Sequence, residues 1–287
     1  MNRINLLIFL VLMIFLLWIL SNFHFNMLRE NDSEIFSKET SNQIDSREIE
    51  VTVVYDNNRF KPGLKTSWGF SCVVKGTDKT ILFDTGGDGS ILLENMNSLA
   101  INPEEIDVIV LSHIHGDHVG GIMQFLEKNA QVTVYLPQSF PGNFKKSVLQ
   151  HGASIVEVQD SIEIFRNVYS TGVMGFGIRE QSLILQTQHG LIIITGCAHP
   201  GVVNIVKKAK DLLNDDVLLV MGGFHLTGSS QEKISRIVSD FRKLGVYYTG
   251  PCHCSGDSAR QLFEMEYGEN YISVGVGKTI FCSDLLK

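Results

Sequence analysis

The sequence predicts an α+β fold, in which sheets of short strands are covered by helices, behind a separate N-terminal apolar segment. From Val51 onward, short β-branched runs alternate with stretches of helical periodicity in both halves of the chain, and antiparallel hairpins are mixed among them. The 287 residues are 44% hydrophobic and 19% charged, which fits one folded core of ordinary domain size and excludes a disordered polymer.

The first segment stands apart from that core. Residues Ile4 to Leu20 form an apolar run with no charge between Asn5 and Ser21. As a helix it would reach about 26 Å, close to the hydrocarbon thickness of a bilayer. A cleaved signal peptide normally ends in small residues, and Trp18-Ile19-Leu20-Ser21-Asn22-Phe23 offers no such site. The expectation is an uncleaved transmembrane signal anchor over residues 4–22, embedded in the lipid bilayer as a single pass. A cleaved signal with a secreted product and a buried core helix are the alternatives. Arg3 and the terminal amine place residues 1–3 in the cytoplasm, and hence the catalytic domain outside it. Residues 23–49, rich in Ser, Asn, Glu and Asp, read as a flexible tether, and 50–287 as the catalytic domain.

Within that domain, Val51 to Tyr55, Ser71 to Lys75 and Thr80 to Phe83 read as consecutive strands. Ile106 to Leu111 is apolar almost throughout, as a strand buried on both faces must be. A helix at Ile122 to Lys128 separates it from a strand at Val132 to Leu136. Ser182 to Gln186 and Leu191 to Thr195 form a hairpin around Gln188-His189-Gly190. Pro200, whose fixed φ suits a first helical position, opens a helix, and Val217 to Met221 is again a strand. Ser229 with Glu232 makes a capping box for a helix whose Ile234, Ile237, Val238, Phe241 and Leu244 share one face. A short strand at Val246 to Tyr248 and a helix at Asp257 to Tyr267 complete the order.

A formal net charge of -7 leaves little basic surface for a phosphate backbone, so no nucleic-acid partner is expected. The five cysteines, Cys72, Cys197, Cys252, Cys254 and Cys282, are odd in number and too sparse for a disulfide scaffold. Three of them lie in loops containing Gly or His, where a site role is as reasonable as pairing.

Nine histidines occur, and six follow apolar strands: His113, His115 and His118 after Ile106–Leu111, then His199, His225 and His253 after three later strands. Strand ends are where such scaffolds present functional groups. His24, His151 and His189 read as surface residues. His113 and His115 are two apart, so an extended segment projects both imidazoles to one side, a pair suited to a borderline-soft cation such as zinc. Gly116 then turns the chain and sends Asp117 and His118 elsewhere, where a second cation could bind. A polar, helix-capping loop accounts for any one of these residues but poorly for three His and an Asp within six positions.

His113-Ile114-His115-Gly116-Asp117-His118 resembles the His-x-His-x-Asp-His signature of the metallo-β-lactamase fold superfamily, over nearly all of the chain from about residue 50. Phe83-Asp84-Thr85-Gly86 is similar to the superfamily's early Asp motif. The segments Glu180-Gln181-Ser182-Leu183, Thr195-Gly196-Cys197-Ala198-His199-Pro200-Gly201, Gly222-Gly223-Phe224-His225-Leu226 and Cys252-His253-Cys254-Ser255-Gly256 resemble the branch of dihydropterin-type ribofuranosylaminobenzene 5′-phosphate synthases. This resemblance implies an αββα sandwich, two mixed sheets between outer helices, with a dinuclear site at one edge. It implies His113, His115 and His199 as ligands of one ion, and Asp117, His118 and His253 as ligands of the other. Asp84 would orient a metal-binding histidine, a turn Asp being the alternative, and His225 would face substrate. Many members carry a bridging Asp where this chain has Cys197, so Cys197 either coordinates as a thiolate or packs behind the site. Glu180 reads as a support for a ligand, an unusual ligand, or a polar strand end.

The resemblance also implies a cofactor of two divalent ions, zinc or else manganese or iron, sharing a hydroxide that attacks a polarised bond. Asp117 would bind metal and manage the proton, with His225 as the other catalytic candidate. Hydrolysis of a small, anionic ester, phosphoester or lactone is the expected activity. Condensation on a phosphorylated sugar, a binding or sensor protein with little turnover, and redox chemistry at iron are the competing expectations.

Overall fold

The computed structural model describes residues 43–286. The anchor expected at residues 4–22 lies outside the described residues, as does most of the tether. Among the described residues no helix is long and apolar enough to cross a membrane. The folded unit begins at Ile44, ahead of the boundary expected at residue 50. Ile44 bridges to Thr187, the Gln188 N–H donates to the Ile44 carbonyl at 3.1 Å, and Ile49 is buried. The last residues of the expected tether are therefore fastened by backbone pairing, which composition does not reveal.

The first sheet contains β1 (Glu50–Asp56), β2 (Phe70–Lys75), β3 (Ile81–Phe83), β4 (Val108–Val110), β5 (Thr133–Pro137) and β6 (Ser154–Val158) in that spatial order. The second runs from β7 (Ile162–Phe165) through β8 (Val168–Ser170), β9 (Leu183–Thr187), β10 (Gly190–Thr195) and β11 (Val217–Gly223) to β12 (Tyr248–Cys252). β13 (Thr279–Phe281) returns to pair with β1 and completes the first sheet. Both sheets are mixed: β3 to β6 are parallel, as are β10 to β12, and the remaining pairings are antiparallel.

Alternation along the strands builds three apolar layers. Val51, Val53, Phe83 and Val110 of the first sheet meet Leu183, Leu185, Ile192 and Ile194 of the second in a central core. The opposite face of the first sheet, with Leu82, Ile109 and Val134, packs on α1 (Gly89–Ser98), α2 (Gly116–Val119), α3 (Ile122–Leu126) and α4 (Gly142–Gln150). On the second sheet, Ile184, Ile193 and Val220 are covered by α5 (Val202–Leu213), α6 (Gln231–Lys243) and α7 (Asp257–Tyr267). Each fully buried Leu, Ile or Phe contributes about 1.5–3 kcal/mol, so these layers dominate the stability of the sandwich.

Local differences from the expected elements have local causes. Pro200 does not begin α5; Gly201, at φ 90°, precedes Val202, because a left-handed residue is needed between the His199 loop and the helix. The α6 cap is Ser230 and not Ser229, since Ser229 N–H is taken by the Leu226 carbonyl, while Ser230 Oγ accepts from Lys233 N–H at 3.3 Å. The short strand expected at Val246 to Tyr248 is displaced to Tyr248–Cys252, because Val246 belongs to the turn closing α6.

The parallel runs position the site. The C-terminal ends of β3 and β4 in one sheet, and of β10, β11 and β12 in the other, deliver their loops to the same edge of the sandwich.

Candidate metal centre

His113, His115 and His199 meet where the β4 and β10 loops converge. Their ligating nitrogens lie within 4.8 Å of one another, and the rings contact edge-on at centroid distances of 4.7 Å for His113–His115, 4.7 Å for His113–His199 and 5.0 Å for His115–His199. Ser112 Oγ donates to Asp84 Oδ2 at 2.7 Å, which leaves that hydroxyl to accept from His113 Nδ1 at 2.9 Å. His113 Nε2 is then a lone pair, and it is buried with no hydrogen-bond partner. His199 Nδ1 donates to Glu180 Oε2 at 2.8 Å, which leaves its Nε2 as an acceptor too. Burial, with the neighbouring His118, pushes the His113 pKa down to about 3.

Asp117, His118, Cys197 and His253 form the adjoining group. His118 Nε2 lies 3.2 Å from His253 Nε2 and 3.2 Å from Cys197 Sγ, while Asp117 Oδ2 lies 3.3 Å from His253 Nε2. Both imidazoles are fixed from behind: His118 Nδ1 donates to Asp84 Oδ2 at 2.7 Å, and His253 Nδ1 donates to Asn57 Oδ1 at 2.9 Å. Neutral rings so fixed present Nε2 lone pairs toward each other, toward a carboxylate and toward a sulfur. Such a convergence of acceptors needs a positive charge at its centre.

The pKa shifts agree with that need. Burial pulls the His253 pKa down, but the hydrogen bond to Asp117, with Cys254 and Asp56 nearby, raises it above the ordinary value. Burial would raise Asp117, yet His253 and His118 hold its carboxyl well below the usual carboxylate range. His118, fully enclosed, is pushed down to about 3 by burial and by His253. Asp84 moves up to about 7, chiefly through burial. The donor sets of both groups fit divalent cations with imidazole, carboxylate and thiolate ligands.

The remaining sequence-predicted residues sort by geometry. Glu180 is buried and spends both carboxylate oxygens on the loop after β10. Oε1 accepts the N–H groups of Cys197 (2.9 Å) and Ala198 (2.8 Å), and Oε2 accepts His199 N–H (2.8 Å) and Nδ1. It is a support for His199 and has no oxygen turned to the metal groups. Asp84 has left the turn role for the same kind of work, gripping Ser112 N–H, Ser112 Oγ and His118. His225 is exposed with its ring 4.6 Å from that of His199, at the mouth of the site. Cys197 points into the Asp117–His118–His253 group and not behind it. All five cysteines are buried and free.

Three residues at the site, Ser112, Asn57 and Trp68, escaped sequence reasoning, and Cys254 entered it only as one of the loop cysteines. Ser112 adjoins His113 and carries a weak signal by position alone. Asn57 is 196 residues from the His253 it orients, and nothing in the sequence links them. Cys254 lies against Cys197 and His225, and Trp68, 54% exposed, sets its ring 4.9 Å from that of His253.

A model of the metallo-β-lactamase superfamily matches residues 69–221. The 7,8-dihydropterin-6-methyl-4-(β-D-ribofuranosyl)-aminobenzene-5′-phosphate synthase of Methanocaldococcus jannaschii is 30% identical over 250 residues, covering 71% of this chain and 85% of that protein. The crystal structure of Tm1679, described as a metal-dependent hydrolase of the β-lactamase superfamily, superposes with a TM-score of 0.69 at 28% identity, covering 81% of this chain and 98% of its own. The short form of human tRNase Z shares the fold at 15% identity, with a TM-score of 0.56 over 80% of this chain and 98% of its own. With its signature loop, its two sheets and its ligand-bearing edge all in place, this chain belongs to the metallo-β-lactamase superfamily.

Proposed function

We propose that this protein is a dinuclear metal-dependent hydrolase acting on a small, anionic ester, phosphoester or lactone. The observation that carries the proposal is the pair of adjoining groups, His113–His115–His199 and Asp117–His118–Cys197–His253, whose ring nitrogens converge, with the Asp117-bound proton of His253 standing where a cation would replace it. Two divalent ions bound there, zinc being the natural choice for His, Asp and Cys ligands, supply Lewis acidity and an activated water.

The chain's own residues do the rest. Asp84, Ser112, Asn57 and Glu180 fix the rings of His118, His113, His253 and His199 in turn, so these four are oriented before any ion binds. Asp117, half-buried and kept ionised by its neighbours, would hold a metal ion and orient the attacking water through its carboxylate. His225, open to solvent, faces the substrate side and can donate to a leaving oxygen. A cavity of about 220 Å3, lined by Gln138, Ser139, Gln159, Val173 and Arg179, opens beyond the ends of β5 and β6, and Arg179 is a cation there that an anionic group could meet.

The synthase relative supports a second reading, condensation at a phosphorylated ribofuranosyl group with the same metal groups. One panel separates them: the zinc-loaded chain with a phosphodiester, a phosphomonoester and a lactone, and separately with the components of the condensation, with His118→Ala as control. Hydrolysis lost in His118→Ala supports the hydrolase. Condensation without hydrolysis transfers the assignment, and ligand binding without any turnover makes the protein a sensor.

A further inference from the structure

Beside the two groups already described lies a third. Cys197 Sγ, a ring nitrogen of His225 and Cys254 Sγ all lie within 4.8 Å of one another. Cys197 is common to this group and to the Asp117–His118–His253 group. Both sulfurs are buried, Cys197 at 4% and Cys254 at 5% exposure, while the imidazole is open to solvent. The hydrolytic chemistry makes no use of Cys254.

The backbone is arranged to keep these three side chains together. A Cβ at Gly223 would come 2.7 Å from Cys254 Sγ, so the end of β11 leaves to the sulfur the room a side chain would fill. The Cys254 carbonyl accepts Leu226 N–H (3.2 Å), Thr227 N–H (3.2 Å) and Thr227 Oγ1–H (2.8 Å), which ties the loop after β11 to the loop after β12. His225 itself sits at φ 53°, a conformation that non-glycine residues keep only when their surroundings enforce it.

We infer that Cys197, His225 and Cys254 form a third cation position, selective for a thiophilic ion, with the Cys197 sulfur bridging to the neighbouring position. Two thiolates and an imidazole favour zinc, cadmium or copper(I) over magnesium or manganese. Each thiol releases its proton to solvent as it coordinates, so two anionic sulfurs offset the added cation. Solvent supplies the remaining ligand on the open His225 side.

The test is a titration of the metal-free full chain with Cd2+ alone, read by equilibrium dialysis and by thiolate-to-cadmium ultraviolet absorption. The wild type is expected to take up one equivalent beyond the two of the proposed hydrolytic centre. Cys254→Ser should lose that equivalent together with part of the absorption. His225→Ala, at an exposed position where the fold is not at stake, should weaken the last equivalent about tenfold or more while sparing the others. A wild type that saturates at two equivalents overturns the inference, as do variants that titrate like the wild type. Hydrolysis is followed on the same samples, so a wild type that saturates at two ions and still turns over rejects the third position and leaves the hydrolase reading intact.

Discussion

Replacing Glu180 with glutamine keeps the size of a buried side chain and removes half of its acceptors. The carboxylate takes four hydrogen bonds, from Cys197, Ala198 and His199 N–H and from His199 Nδ1, at 2.8–2.9 Å. A glutamine amide has one oxygen, so its NH2 faces two donors that nothing else accepts. Charge-assisted hydrogen bonds contribute about 1.5–3 kcal/mol each, so losing two costs about 3–6 kcal/mol. The electrostatics of the site point to the low end of that range. Burial raises the carboxyl pKa, but the His199 side chain, with His113 and the loop N–H groups, lowers it from 4.5 to about 2. At about 1.4 kcal/mol per unit, that fall corresponds to about 3 kcal/mol. The sign follows from the depressed folded-state value: the contribution is present above pH 4.5 and is lost as pH falls toward 2. The assay is urea and thermal unfolding of metal-free wild type and Glu180→Gln across acid pH. The variant should lose about 3 kcal/mol at neutral pH, a fall in Tm of about 6–12 °C, and should show a flatter acid limb. A loss below about 1 kcal/mol with the acid limb unchanged would refute the clamp.

Three further outcomes are expected. Asp84→Asn removes the charge that fixes His118 Nδ1 and should weaken binding at the His118 position about 10–100-fold in a chelator competition; an unchanged affinity would show that Asp84 does not orient the ligand. Phe125→Ala empties a fully buried position between α3 and the first sheet and should cost about 3–5 kcal/mol in urea unfolding without changing metal stoichiometry. Burial raises the Tyr267 pKa to about 12 against the opposing pull of Arg242, so its contribution is complete below pH 10 and lost as pH rises through 12. In alkaline unfolding, Tyr267→Phe should lack that loss, and a variant that tracks the wild type would count against it.

What could be read in the sequence depended on how local the signal was. The apolar run Ile106 to Leu111 announced a strand buried on both faces, and β4 is just that, with α5, α6 and α7 covering the companion sheet where periodicity placed helices. β6, β7 and β8 gave no clear pattern because β6 and β7 are edge strands, and exposed residues such as Ser154 and Glu163 interrupt their alternation. α1 was hidden because it opens on Gly89-Ser90 and depends on Asp88 as its cap. At the site, His113 to His118 was legible because its ligands are packed into one loop. Of the partners that orient them, Asp84 and Glu180 were legible only through the family resemblance, and Asn57 was not legible at all, since it reaches His253 only through the pairing of distant strands.

Neither candidate metal group belongs to a single sheet. His113 and His115 come from the first sheet and His199 from the second; Asp117 and His118 come from the first, Cys197 and His253 from the second. Elsewhere the sheets adhere through side chains of the central core and a few polar contacts, among them Gln181 N–H to the Ser112 carbonyl at 3.0 Å and Arg166 to Asp78 at 2.7 Å. A cation in either position would act as a cross-link at the open rim, joining segments separated by some 80 to 135 residues. Binding energy would then be felt as resistance of the two halves to parting, and a chelator would loosen this rim before it disturbed the apolar layers beneath.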